Sequence, residues 1–327
     1  MSMIIVTGGA GFIGSAVVWY LNRQGIDDII IVDNLGTSSK WRNLVTRRYV
    51  DYVHKESFLE QVRNNAVDYS VDAVIHMGAC SSTTERNADY LMENNYRYST
   101  ILARWAVDRG IRFIYASSAA TYGDGSRGFS DDDAVTETLE PINMYGYSKQ
   151  MFDLWVLRNN LQETCAGLKF FNVYGPNEYH KGDMRSVVHK AVQEIEKTGE
   201  MRLFRSYRRE YGDGEQRRDF VYVKDCVSII GQLLNNKDRN GIFNVGTGRA
   251  RTWNDLVSAV CRAMNRETII RYIDMPEEIR EQYQYHTEAA TDKLQTAGSA
   301  GVHYSLEEGI EDYVKSYLMG EERCLER

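Results

Sequence analysis

Proline is scarce in this chain, three residues in 327, and neither an internal repeat nor a low-complexity segment interrupts it. The five cysteines (Cys80, Cys165, Cys226, Cys261 and Cys324) are odd in number and never spaced C-x-x-C. That pattern fits neither a disulfide framework nor a zinc site. His54, His286 and His303 show no metal-ligand spacing either, so no metal is expected. No apolar run approaches the roughly 20 residues of a membrane span. "MSMIIVTGG" reaches glycine too soon to read as a secretory leader, so a reducing cytoplasm is the expected setting. A formal net charge of −7 argues against nucleic acid or an anionic membrane as partner of the surface as a whole.

What is present is ordinary for a globular chain: 43% hydrophobic and 26% charged residues, enough to bury a sizeable core. Short β-rich runs lie at 3–7, 29–33, 72–77, 112–118 and 167–173. Amphipathic stretches lie between them, around 12–24, 86–109 and 146–160. Strands alternating with helices predict an α/β fold: a Rossmann-type, doubly wound parallel sheet covered on both faces. Beyond residue 173 come a helix around 184–197, a charge-dense loop at 205–220 and a further strand–helix–strand. Thr252-Trp253-Asn254-Asp255 reads as a capping box. The expected division is a dinucleotide domain of 1–173 plus about 219–248. A smaller mixed α/β lobe for substrate takes about 174–218 plus 249–327.

"IIVTGGAGFIGS" (4–15) sets Gly8, Gly11 and Gly14 at three-residue spacing, after a strand and at the start of a helix. Such glycines allow a tight turn, a close approach to pyrophosphate and close helix–strand packing, and the helix N-terminus offers free N–H groups. Asp33 ends the second strand about twenty residues on, where a carboxylate binds a ribose hydroxyl. Taken alone Asp33 favours NAD, whereas Lys40 and Arg42 are placed to hold the extra phosphate of NADP. The residues leave that choice open.

"NMYGYSK" (143–149) puts Tyr145 one helical turn before Lys149, so phenol and ammonium share a face. A phenol titrates near pH ~10 and needs such a cation to act as a base. Tyr147 has no lysine at that spacing. Ser118, at the end of the "RFIYASS" strand, stands ready to hydrogen-bond the same substrate oxygen.

Together with "RRDFVYVKD" (217–225) and "FNVGTG" (243–248), these residues resemble the extended short-chain dehydrogenase/reductase family over nearly the whole chain. The resemblance implies that Ser118, Tyr145 and Lys149 move a proton while hydride passes between a sugar carbon and a nicotinamide. Ala119 and Ala120 stand where the dehydratases of the family carry an Asp-Glu pair, which argues against elimination of water. "GACSSTTE" (78–85), "ENNYRYS" (93–99), "YASSAATYG" (115–123) and "FFNVYGPNEYHKGDM" (170–184), together with "NMYGYSK", look like the family's branch of epimerases acting on an ADP-linked heptose.

That resemblance implies NADP as cofactor, with NAD possible on the residues alone, and an ADP-heptose substrate of lipopolysaccharide synthesis. It also implies a homo-oligomer and Lys181 as a second proton carrier. It implies cofactor contacts from Phe12, Ile13, Asn34, Lys55, Met77, Gly78, Ala79, Cys80, Ser81, Asn94 and Val173, and substrate contacts from Asn172, Phe204, Arg218 and Tyr283. Asp183 and Lys190 occupy substrate-side positions where the pattern usually has serine and histidine, and the loop at 205–217 is longer than usual. Another sugar-nucleotide epimerase, such as a UDP-hexose 4-epimerase, and a non-catalytic dinucleotide sensor are the rival readings.

Overall fold

The computed structural model describes residues 2–280, 283–320 and 324–325, apart from the side chains of 278 and 279. Its centre is one seven-stranded, all-parallel sheet. Six strands come from the first 170 residues: β1 (Ser2–Thr7), β2 (Ile29–Asp33), β3 (Asp51–His54), β4 (Ser70–His76), β5 (Arg112–Ser118) and β6 (Cys165–Phe170). The seventh, Gly241–Val245, arrives seventy residues later and pairs with β6. Across the sheet the order is Gly241–Val245, β6, β5, β4, β1, β2, β3, so the direction of winding reverses between β1 and β4. Loops leaving those two strands diverge to opposite faces and leave a crevice at their C-terminal ends, where ligands dock in open α/β sheets.

Side-chain alternation divides the core in two. Ile4, Val6, Ile29, Ile31 and Ile75 face the layer that includes helices Phe12–Arg23 and Val223–Asn235. Ile5, Ile30, Val32 and Val74 face Phe58, Leu102, Trp105 and Phe152 on the other side. β3 is absent from the sequence expectation for a physical reason. "DYVH" is a half-exposed edge strand with one neighbour, so it carries no long apolar run.

Two other elements depart from the sequence reading. The strand expected over 167–173 is split at Phe171, whose N–H donates to Val245 O at 3.0 Å. Asn172–Tyr174 then changes partner and pairs with Phe220–Tyr222. The helix expected over 86–109 contains a π-turn, Met92–Arg97, between Ala88–Leu91 and Tyr98–Val107. Widened turns of this kind recur at functional sites, and here the turn carries Asn94 and Asn95.

The remainder of the chain packs helices Val187–Thr198, Trp253–Ala263 and Leu306–Asp312 with a parallel pair, Met201–Phe204 and Ile270–Ile273. The capping box forms as read: Thr252 Oγ1 accepts from Asp255 N at 2.9 Å, and Asp255 Oδ2 accepts from Thr252 N at 3.1 Å. Asp219, in the "RRDFVYVKD" stretch, ties that stretch to "FNVGTG". Its two oxygens accept from Thr247 N and Oγ1, Gly248 N and Ala289 N, all at 2.7–3.0 Å. None of the described helices is long and apolar enough to cross a membrane.

Candidate active site

A cleft of about 730 Å³ opens at the crevice between β1 and β4. The glycine turn forms its base. Gly8 sits at φ +65, where a side chain would be strained, and a Cβ there would lie 2.7 Å from the Gly78 backbone. A Cβ on Gly14 would collide with the carbonyl oxygen of Gly8. Helix Phe12–Arg23 starts at Gly11 with no side-chain cap and no acidic residue in its first turn, so its N–H groups face the cleft undiminished. Such a cradle of glycine backbone and free N–H groups fits the diphosphate of a dinucleotide.

Asp33 closes one end of the cleft. Its carboxylate accepts from Ala10 N at 2.9 Å and from Asn34 N and Lys40 Nζ at 2.6 Å. Lys55 donates to Asn94 Oδ1 at 2.6 Å, and Asn94 passes the chain on to Asn95. Asn95 is fully buried and clamps Cys80 through both its N–H and its carbonyl, while also donating to Ser148 Oγ at 3.0 Å. The π-turn thereby fixes the Met77–Ser81 loop against the helix that carries Tyr145. His76 is structural: its ring bonds Thr7 Oγ1 and Ser99 Oγ, and burial holds its pKa down at about 3.

Helix Met144–Arg158 is capped by Asn143, which accepts from Gly146 N, and presents Tyr145 and Lys149 to the cleft. Tyr145 is half-buried. Burial pushes its phenol pKa up, and a side-chain hydrogen bond from Ser118 works against that rise. Lys149 donates to Ala116 O at 2.8 Å. Burial draws its pKa down to about 8, with Asp153 and Cys80 opposing. The expected lowering of the phenol by the ammonium is therefore not the governing effect in this arrangement. The lysine is turned to a strand carbonyl, and desolvation dominates the tyrosine.

Loop 176–184 supplies a second wall. Asn177 adopts φ +79 and is fully buried. Its amide donates to Ser15 Oγ at 2.9 Å, and its carbonyl receives Asn43 Nδ2 at 3.0 Å. Glu178, also buried, accepts from Ser186 N and Oγ and from Tyr313 OH. The loop so anchored holds Lys181 with its ammonium 5.5 Å from the Phe12 ring centroid. Burial lowers the Lys181 pKa, and Glu178 resists.

The residues expected to catalyse and those expected to contact cofactor line this one cleft, as does Asn172; the exception is Arg42, whose guanidinium lies over the Trp41 ring. Five substrate-side residues do not. Asp183 is exposed on the outside of the loop, and Lys190 lies on helix Val187–Thr198 away from the cleft wall. Arg218, Tyr283 and Phe204 cluster behind Trp253. The Arg218 guanidinium lies 5.7 Å from the Trp253 ring and 5.3 Å from that of Tyr283, and it donates to the carbonyls of Arg217 and Gln284. Trp253 itself lines the cleft, as do Phe220, Leu256 and His180. Sequence reading had no hold on Trp253, Phe220 or Leu256, because each looks like ordinary core. Asn95 left a trace, since two adjacent asparagines are poor helix formers.

A sequence profile of the NAD dependent epimerase/dehydratase family matches residues 4–246. The chain is 63% identical to the ADP-L-glycero-D-manno-heptose-6-epimerase of Nitratidesulfovibrio vulgaris (strain DP4), over 97% of this chain and 98% of that one. It is 48% identical to the enzyme of the same name from Fusobacterium nucleatum, over 99% and 100%. Among solved structures, the crystal structure of Helicobacter pylori ADP-L-glycero-D-manno-heptose-6-epimerase superposes with a TM-score of 0.80 at 28% identity, covering 96% of this chain and 95% of that one.

Proposed function

Since the chain belongs to the NAD dependent epimerase/dehydratase family, we propose that it inverts C6″ of ADP-D-glycero-β-D-manno-heptose, giving the L-glycero epimer used in the lipopolysaccharide inner core. The observation that carries this reading is that one cleft holds the glycine turn, the Ser118–Tyr145–Lys149 group and Lys181 together. A nicotinamide dinucleotide bound there supplies the reversible removal and return of hydride, leaving no net redox change.

The chain's own residues handle the proton. Tyr145 takes it as phenolate from the C6″ hydroxyl as that carbon is oxidised, with Ser118 sharing the oxygen and opposing the rise that burial imposes on the phenol. Lys149 stays charged at neutral pH and orients groups beside Tyr145. The ketone then offers its other face, and Lys181, from the second wall, gives its own proton to the C6″ oxygen; exchange with solvent then returns Tyr145 and Lys181 to their starting protonation states. Lowering of the Lys181 pKa by burial suits a group that exchanges its proton near neutrality. Asn172 and Trp253 are assigned to the ADP-sugar, with Arg218, Tyr283 and Phe204 backing Trp253, and Asp33, Lys40, Lys55 and Asn94 to the dinucleotide. NADP is the favoured cofactor: Asp33 is already neutralised by Lys40, which removes the main objection to a second phosphate.

Incubation with ADP-D-glycero-β-D-manno-heptose, followed by proton NMR of the C6″ signal, tests the proposal. Appearance of the L-glycero epimer is expected. An unchanged sugar, with NADP⁺ or NAD⁺ supplied, refutes the heptose assignment.

A further inference from the structure

Beneath the floor of the cleft lies an ion pair that this scheme leaves unused. Asp153 and Lys169 are both fully buried, with Lys169 Nζ 2.9 Å from Asp153 Oδ2. Asp153 stands one turn after Lys149 on the same face of helix Met144–Arg158. Its carboxylate also accepts from Ser117 Oγ at 2.6 Å and from Tyr115 OH at 3.1 Å, both on β5. Lys169, on β6, donates to Thr121 Oγ1 at 2.9 Å, and its ammonium lies 5.1 Å from the Tyr122 ring centroid.

An ion pair this deep is a poor device for stability alone. Desolvating each charge costs several kcal/mol, and apolar residues of similar volume generally serve as well. Its placement points elsewhere. Ser117 directly precedes Ser118, and Ala116, whose carbonyl receives Lys149, directly precedes Ser117. One carboxylate thus joins the strand that presents Ser118 to the helix that presents Tyr145 and Lys149.

We propose that Asp153 is a positioning residue: its carboxylate locks that helix to β5 and, paired with Lys169, places a negative charge one helical turn from the Lys149 ammonium to stabilise it. The inference rests on Tyr145 and Lys149 being the proton-handling pair. The titratable groups facing Lys149 are Tyr145 and Asp153 on its own helix, His76 at the end of β4 and Cys80 in the loop beyond it. Burial keeps His76 neutral, so Asp153 is the one buried carboxylate among them.

The test uses full-length protein carrying isotope-labelled lysine Cε, with the Lys149 signal identified by its loss in Lys149→Arg. Because Asp153→Asn alone strands a buried cation, the variant of choice is Asp153→Asn/Lys169→Met, which removes both charges. The Lys149 titration midpoint is expected to move to lower pH, and the alkaline limb of kcat to move with it, while KM changes little. A folded double variant with an unmoved midpoint overturns the electrostatic claim. Ser117→Ala combined with Tyr115→Phe keeps the ion pair and removes both links from Asp153 to β5. It is expected to lower kcat several-fold without moving the midpoint, and an unchanged kcat overturns the positioning claim. Wild-type protein inactive on the sugar would defeat the functional reading alone. The lysine titration, read without substrate, would still decide whether Asp153 controls Lys149.

Discussion

Lys40 Nζ lies 2.6 Å from Asp33 Oδ1, and both residues line the cofactor end of the cleft. The carboxylate that would repel a 2′-phosphate is thereby matched by a cation at the same edge. Lys40→Ala is expected to weaken NADP binding about tenfold, the loss of one charge-assisted hydrogen bond, while NAD binding changes far less. Fluorescence titration of both dinucleotides measures this. Equal losses for the two would remove Lys40 from any role in choosing between them.

Tyr145 and Lys181 enter the cleft from different elements, as two separate proton carriers would. Tyr145→Phe should reduce turnover by roughly 10²–10⁴, the usual worth of a positioned acid–base group. Lys181→Arg should be similarly impaired, because a guanidinium keeps its proton. Steady-state rates decide the matter, and a fully active Lys181→Arg enzyme would reduce Lys181 to a binding cation.

His189 is buried against Tyr179, its Nδ1 has no hydrogen-bond partner among the described residues, and burial and Arg185 hold its pKa at about 4 against an ordinary 6.5. Below pH 6.5 the unfolded chain takes up a proton that the folded chain refuses, so stability is lost as the pH falls towards 4. His189→Phe abolishes that penalty. Relative to wild type it should gain about 2 kcal/mol between pH 8 and pH 5. Urea unfolding at the two pH values measures the difference, and parallel pH dependence in the two proteins would contradict it.

Asp219 accepts two main-chain N–H groups on Oδ2 alone, from Gly248 and Ala289. Asp219→Asn keeps the size, but its amide lacks the acceptors for all four donors and would have to turn an NH₂ towards main-chain N–H groups. A loss of about 3 kcal/mol is expected. Thermal unfolding tests it. A variant as stable as wild type would show that the knot rearranges freely.

Legibility in the sequence followed locality. The glycine turn, the i,i+4 pair of Tyr145 and Lys149, and the Thr252 capping box depend on neighbours in the chain, and each forms as read. The edge strand β3 and the partner change at Phe171 depend on what lies alongside, and were not read. The same holds within the cleft. Trp253 reaches it only because its helix packs there, and Arg218 is drawn behind Trp253 by the carbonyl of Gln284 and by aromatic faces remote in sequence. The setting of Lys149 is illegible for a related reason: proximity along a helix says nothing of the carbonyl of Ala116 that receives the lysine.

The late arrival of strand Gly241–Val245 bears on how the molecule is made. On the ribosome, Gly8, Ser118, Tyr145 and Lys149 are all synthesised before the strand that closes the far edge of the sheet. Trp253 follows later still. A nascent chain about half complete already carries the glycine turn and the tyrosine helix, yet β6 has an open edge until residue 241 emerges. Such an unpaired edge invites wrong partners. The vulnerable interval in biosynthesis is thus the translation of the seventy residues between β6 and its neighbour.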